Sequence, residues 1–115
     1  MTEFWTVPIP KDHSGNRVSY AKAAGVEFTS FPYQPYYGRL GRHSALIGSL
    51  TSKIEGVFGT IWSATVYLSR PNGSSEPLEQ KHFPADQMSE AFEWAAGLIN
   101  TKNADALGAP GGVAA

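Results

Sequence analysis

The sequence predicts an α+β fold: a small antiparallel sheet packed on one C-terminal helix. Two periodicities carry that class. From Val57 to Arg70 the apolar residues recur with period two, and from Ala85 to Asn100 they recur at three and four. The turn-rich stretch between them closes the strands into a hairpin. At 115 residues the chain makes one domain, expected over 1–100 with a flexible tail over 101–115.

The first half is an irregular region with edge strands. Glu3 to Ile9 (EFWTVPI) reads as a strand, and Pro8, with no N–H to give to a ladder, confines it to an edge. Lys11 to Arg17 (KDHSGNR) is turn chemistry. Val18 to Ala24 has no decisive period, whereas Gly25 to Phe31 alternates Val26, Phe28 and Ser30 as a strand does. In Phe31 to Tyr37 (FPYQPYY) two prolines favour extended backbone and prevent a helix. His43 to Glu55 fits two periods at once. Leu46, Ile47, Leu50 and Ile54 have helical spacing with Ser44 as the N-cap, while Leu46, Leu50 and Ile54 also share one face of a strand. The short helix is favoured, although Gly48, Ser49, Thr51 and Ser52 all weaken it.

The second half is more regular. Along Val57–Arg70, Trp62, Ala64, Val66 and Leu68 fall on one face and Ser63, Thr65, Tyr67 and Ser69 on the other, a half-buried strand. Pro71-Asn72-Gly73-Ser74-Ser75 reverses the chain, because Asn and Gly accept positive φ. Glu76 to Phe83 returns as a polar strand, either an edge strand or a solvent-covered one. The helix follows over 85–100, with Pro84 at its start, where a missing N–H costs nothing. Met88, Ala91, Phe92, Ala95, Leu98 and Ile99 form its apolar stripe. Trp94 lies about 100° from Ala95, so it either widens the buried face or is exposed. Thr101 to Ala115 has small residues, Gly and Pro, and no period. The expected core is Trp62, Ala64, Val66, Leu68, Met88, Phe92, Ala95, Leu98 and Ile99.

Trp62-Ser-Ala-Thr-Val, the turn at Asn72-Gly73, and then Phe83, Ala91, Phe92 and Trp94 resemble the arm-type DNA-binding domain of phage tyrosine recombinases. The resemblance covers 57–100. It implies a three-stranded antiparallel sheet on one helix, with the sheet entering the major groove. The chain departs from that pattern where DNA would be met. Its outward set is Ser63, Thr65, Tyr67 and Ser69, Arg70 and Lys81 are the only bases of the hairpin, and the helix is acidic. The Ala/Gly-rich, cysteine-free composition is similar in style to small actinobacterial or phage accessory proteins. That likeness implies a cytoplasmic protein, or a virion-associated one if it comes from a phage.

Composition narrows the chemistry. With no cysteine, disulfides, thiolate metal sites and cysteine nucleophiles are excluded. No apolar run approaches the roughly 20 residues of a membrane span, and no basic region followed by an apolar one opens the chain. No membrane association and no signal peptide are therefore expected. His13, His43 and His82 have no ligand spacing. No G-x-S-x-G elbow, Walker A or G-x-G-x-x-G sequence is present. The expectation is no enzyme, no cofactor and no metal. Gly38-Arg39-Leu40-Gly41-Arg42 before the Ser44 helix start raises an anion site, to be weighed against an ordinary turn.

What remains points to binding. The net charge of −1 hides a split of +4 over Lys11–Lys53 and −4 over Ile54–Asp105, with Glu3 supplying the rest. Fourteen aromatic residues are a surplus for so small a core, so some are expected at the surface. Tyr33, Tyr36, Tyr37, Arg39 and Arg42 are the candidate interaction residues, with simple packing as the competing role for the aromatics. The expected function is a non-catalytic protein-interaction or structural accessory protein, binding a protein partner or itself. The alternative is weak nucleic-acid binding through the basic, aromatic first half.

Overall fold

The computed structural model describes residues 1–108. The fold class is α+β, as expected, but the sheet is not small. It is a seven-stranded antiparallel meander in which every strand pairs with its sequence neighbours. The strands are β1 (Glu3–Pro8), β2 (Arg17–Ala23), β3 (Val26–Ser30), β4 (Tyr36–Leu40), β5 (His43–Ile54), β6 (Val57–Ser69) and β7 (Ser75–Pro84), followed by α1 (Met88–Gly108). β1 and β7 are the edges.

Three of the connections are two-residue hairpins set by left-handed backbone. Ala24-Gly25 and Glu55-Gly56 have positive φ at both residues, the type I′ pattern that matches strand twist, and Gly41 has it at the first residue before Arg42. The Glu55-Gly56 turn corrects the reading of 43–55. That segment is not a helix with Ser44 as its cap. It is the 12-residue strand β5, paired along its full length with β6 from His43↔Leu68 to Ile54↔Val57. Ladder pairing outweighs the coincidental helical spacing of Leu46, Ile47, Leu50 and Ile54. With no helix beginning at Ser44, the premise of an anion site over 38–42 falls too.

α1 starts three residues later than expected and runs on to Gly108, through eight residues assigned to the tail. The rest of that tail, 109–115, lies outside the described residues. Tertiary contacts hold the extension in place. Asn100 Nδ2 donates to Ala24 O (2.9 Å), Asn103 Nδ2 donates to Leu40 O (2.9 Å), and Lys102 pairs with Glu79 of β7 (3.7 Å).

The helix packs on one face of the sheet. Ala64 and Val66 of β6 and Phe92, Ala95 and Ile99 of α1 are fully buried, with Trp62, Met88 and Leu98 partly buried against them. The first half adds Ala21, Ala23, Val26, Phe28, Ala45 and Ile47 to this core. Phe92 meets Phe4 of β1, Phe28 of β3 and Tyr36 of β4 edge-on, at 5.4, 5.1 and 4.9 Å between ring centroids. Trp94, two residues on, packs on Phe83 of β7 at 6.0 Å. Residues two apart in a helix differ by about 3 Å along its axis and about 200° around it. One level of α1 therefore touches both edges of the sheet, so the sheet curls round the helix. Trp94 widens the buried face on the β7 side. The opposite face of the sheet is convex, and no element among the described residues covers it.

Candidate interaction surfaces

Strand pairing assigns each side chain to a face. Phe4, Ala21, Phe28, Gly38, Ala45 and Val66 look toward the helix, so their neighbours in sequence look outward. One continuous row crosses all seven strands on the uncovered face: Trp5, Tyr20, Thr29, Tyr37, Leu46, Thr65 and Gln80, each registered with the next. Trp5 stacks on Tyr20 with centroids 5.4 Å apart and planes 11° from parallel. Gln80 Nε2 closes the row by donating to Thr65 Oγ1 and Ser63 Oγ, both at 3.2 Å. Beside the row, Glu3, Lys22 and Glu27 pair across β1, β2 and β3 with alternating charge. Trp5 and Tyr37 are 38% and 47% exposed, which is large for aromatic side chains in mid-strand.

The five candidate residues do not form one patch. Tyr37 and Arg39 share the uncovered face, where Arg39 Nε donates to Gly41 O (3.1 Å). Tyr36 points the other way and packs on Phe92, so packing is its role. Tyr33 stands on the β3–β4 connection, 98% exposed, in left-handed backbone with φ of 65°. Arg42 sits exposed in the β4–β5 turn. Sequence reasoning placed Tyr36 and Tyr37 together because they are adjacent. Inside a strand, adjacency sends them to opposite faces.

Two further features depend on strand length. β4 pairs with β5 only as far as Tyr36↔Ile47, and β7 pairs with β6 only as far as Pro84↔Ile61. The β5–β6 hairpin continues past both as a two-stranded ribbon that carries exposed Val57, with exposed Leu50 at its base. At the base of the ribbon lies a groove of about 500 Å³ whose lining includes Tyr33, Pro35, Tyr36, Gly48, Leu50 and Trp62. The sequence signal for it was the proline pair in FPYQPYY, after which β4 begins only at Tyr36.

His43 and Ser44 are both buried but are adjacent strand residues on opposite faces, so they cannot act as a base–nucleophile pair. His43 Nδ1 lies 2.6 Å from Asn103 Oδ1. Because the Asn103 amide nitrogen donates to Leu40 O, its oxygen faces the ring and Nδ1 is the donor. His82 is on the uncovered face and His13 on the β1–β2 loop. Among the described residues no three His, Cys, Asp or Glu are placed to hold a metal, and no helix is long and apolar enough to cross a membrane. Asp12 accepts the Ser14 N–H at 2.8 Å, which holds its carboxyl below the usual aspartate value.

The chain matches no family model, no curated protein and no solved structure.

Proposed function

We propose that this chain is a non-catalytic protein-interaction or structural accessory protein that meets its partner, or a second copy, through the uncovered face of the sheet. The seven-residue row from Trp5 to Gln80 carries this reading. It sets stiff aromatic groups, which lose little entropy on binding, on the β1–β4 half of a hydrogen-bonded platform. The alternating Glu3, Lys22 and Glu27 supply a polar rim beside it.

The placement of the bases weighs against the nucleic-acid alternative. Arg39 is on the uncovered face and Arg42 in the adjoining turn. Arg17 lies on the helix side, where its Nε donates to Thr6 Oγ1 (2.8 Å), and the alternation of β5 puts Lys53 on that side as well. These four do not form a continuous track for a phosphate backbone.

The test is sizing chromatography with light scattering over a concentration series, together with partner capture on the immobilised chain. A Trp5→Ala/Tyr37→Ala variant runs beside the parent. The expected result is an association that the double variant loses while keeping its circular dichroism. A strictly monomeric parent that retains no partner refutes the reading. In filter binding, a steep salt dependence lost in Arg39→Ala/Arg42→Ala would move the function to nucleic acid.

A further inference from the structure

We infer that the occupant of the uncovered face is a second copy of this chain. It sits face to face across β1–β4, related by a two-fold axis that runs parallel to the strands above the boundary between β2 and β3. This deepens the reading of that face as a binding surface and rests on it.

The order of charges carries the inference. Glu3 is registered with Lys22, and Lys22 with Glu27. The pairing of Phe28 with Gly38 sets Arg39 in the next place, beside Glu27. All four are exposed on the uncovered face, and none lies within 4 Å of an opposite charge among the described residues. Arg39 Nε donates to Gly41 O (3.1 Å), which leaves both Nη groups to donate elsewhere. Across β1, β2, β3 and β4 the row therefore reads minus, plus, minus, plus. Reversing that order changes every sign. A two-fold axis along the strands makes this reversal. It brings Glu3 over Arg39 of the second copy and Lys22 over Glu27 of the second copy, and symmetry repeats both pairs. An axis along the row would instead set every charge on its own kind. The row thus selects one arrangement, in which the same patch serves both copies.

The neighbouring rows fit the same axis. Trp5, Tyr20, Thr29 and Tyr37 form the next row, and Trp5 comes over Tyr37 of the second copy. Because the face is convex, two copies meet along a band. Trp5 and Tyr37 stand at the margins of that band, where curvature opens a gap, and theirs are the exposed rings. In the middle Thr29 is short and Tyr20 stacks on Trp5. Val7 and Val18 add an apolar third row. Sheets packed face to face lie about 10 Å apart and cross at about 30°, which displaces a residue of β1 or β4 by about 4 Å along its strand, within reach of the Glu3 and Arg39 side chains. Four strands and three rows cover about 400 Å² of each copy at strand and residue spacings, roughly half of a standard interface. The dimer is therefore weak, with a dissociation constant in the micromolar range or above.

The test is charge exchange, read by sedimentation of the full chain from about 1 µM to about 1 mM. The parent should dimerise within that range, and Trp5→Ala/Tyr37→Ala should not. Lys22→Glu and Glu27→Lys, each alone, set like charges against each other at two places and should weaken the dimer more than about tenfold. An equimolar mixture of the two variants should associate as the parent does. In the mixed pair both 22–27 contacts again join opposite charges. Recovery on mixing also separates lost association from lost folding. A parent that stays monomeric, a dimer indifferent to either reversal, or a mixture that does not associate overturns the inference. A monomeric parent that captures a different protein, and loses it in Trp5→Ala/Tyr37→Ala, overturns the inference while leaving the uncovered-face reading standing.

Discussion

Phe92→Ala should come close to unfolding the protein, and the structure shows how. Phe92 is 0% exposed and is the meeting point of β1, β3, β4 and α1. Truncating a buried Phe costs about 3–5 kcal/mol through lost transfer energy and the cavity left behind. The upper half of that range applies, because the curled sheet and the helix enclose the site and cannot collapse into it without breaking ladder pairing. The three edge-on ring contacts add about 0.5–1.5 kcal/mol each beyond buried area, part of which the truncation figure already contains. A chain of this length has about 6–17 kcal/mol in all. Phe92→Leu keeps most of the volume and should cost about 1–2 kcal/mol. It should act first on β1, whose residues are all exposed and whose Phe4 ring leans on Phe92. Urea unfolding gives the two costs, and amide exchange at Glu3–Pro8 gives the local effect. A Phe92→Ala cost under about 1.5 kcal/mol at unchanged m would refute this packing. So would Phe92→Leu loosening β6 before β1.

Three further outcomes are expected. Asn103→Ala removes the bonds to His43 Nδ1 and Leu40 O and leaves a buried ring nitrogen unpaired; thermal unfolding should show a loss of about 1–3 kcal/mol, and a change under about 0.5 would mean the clamp is not formed. Gly38→Ala should cost about 1–3 kcal/mol in the same assay, since its Cβ would lie 2.5 Å from Phe28 Cδ1 and 2.8 Å from Glu27 O, where backbone cannot yield. Asp12 has a depressed folded-state pKa, so its contribution is present above the ordinary aspartate value and is lost as pH falls through the folded value. A carboxyl-detected NMR titration should place Asp12 below the ordinary aspartate value, and Ser14→Pro, which deletes the N–H, should return it toward that value.

What could be read ahead of the structure tracks how local the cause is. β6, β7 and the first part of α1 were legible because one buried face imposes one period on each. β5 was not, because offsets of four fit both a helix and a strand, and the deciding turn hides its nature. Its first residue is Glu55, with φ of 53°, where Asn, Asp or Gly is usual. The last turns of α1 were missed because Thr101–Asp105 has no apolar stripe; polar bonds to the β2–β3 and β4–β5 turns hold them instead. At the candidate site, Tyr37 and Arg39 were recognisable as exposed groups. The division of Tyr36 from Tyr37 needed the phase of β4.

The proposed surface answers one physical problem. A single helix can bury only the concave side of seven strands, and it does so by drawing the sheet round itself until β1 and β7 both touch it. That curl leaves the convex row without a covering layer among the described residues. There Trp5 is held by its stacking on Tyr20 and Tyr37 by strand register, and neither by burial. A partner on the convex face should therefore leave amide exchange unchanged at the Glu55-Gly56 turn, which lies beyond the row.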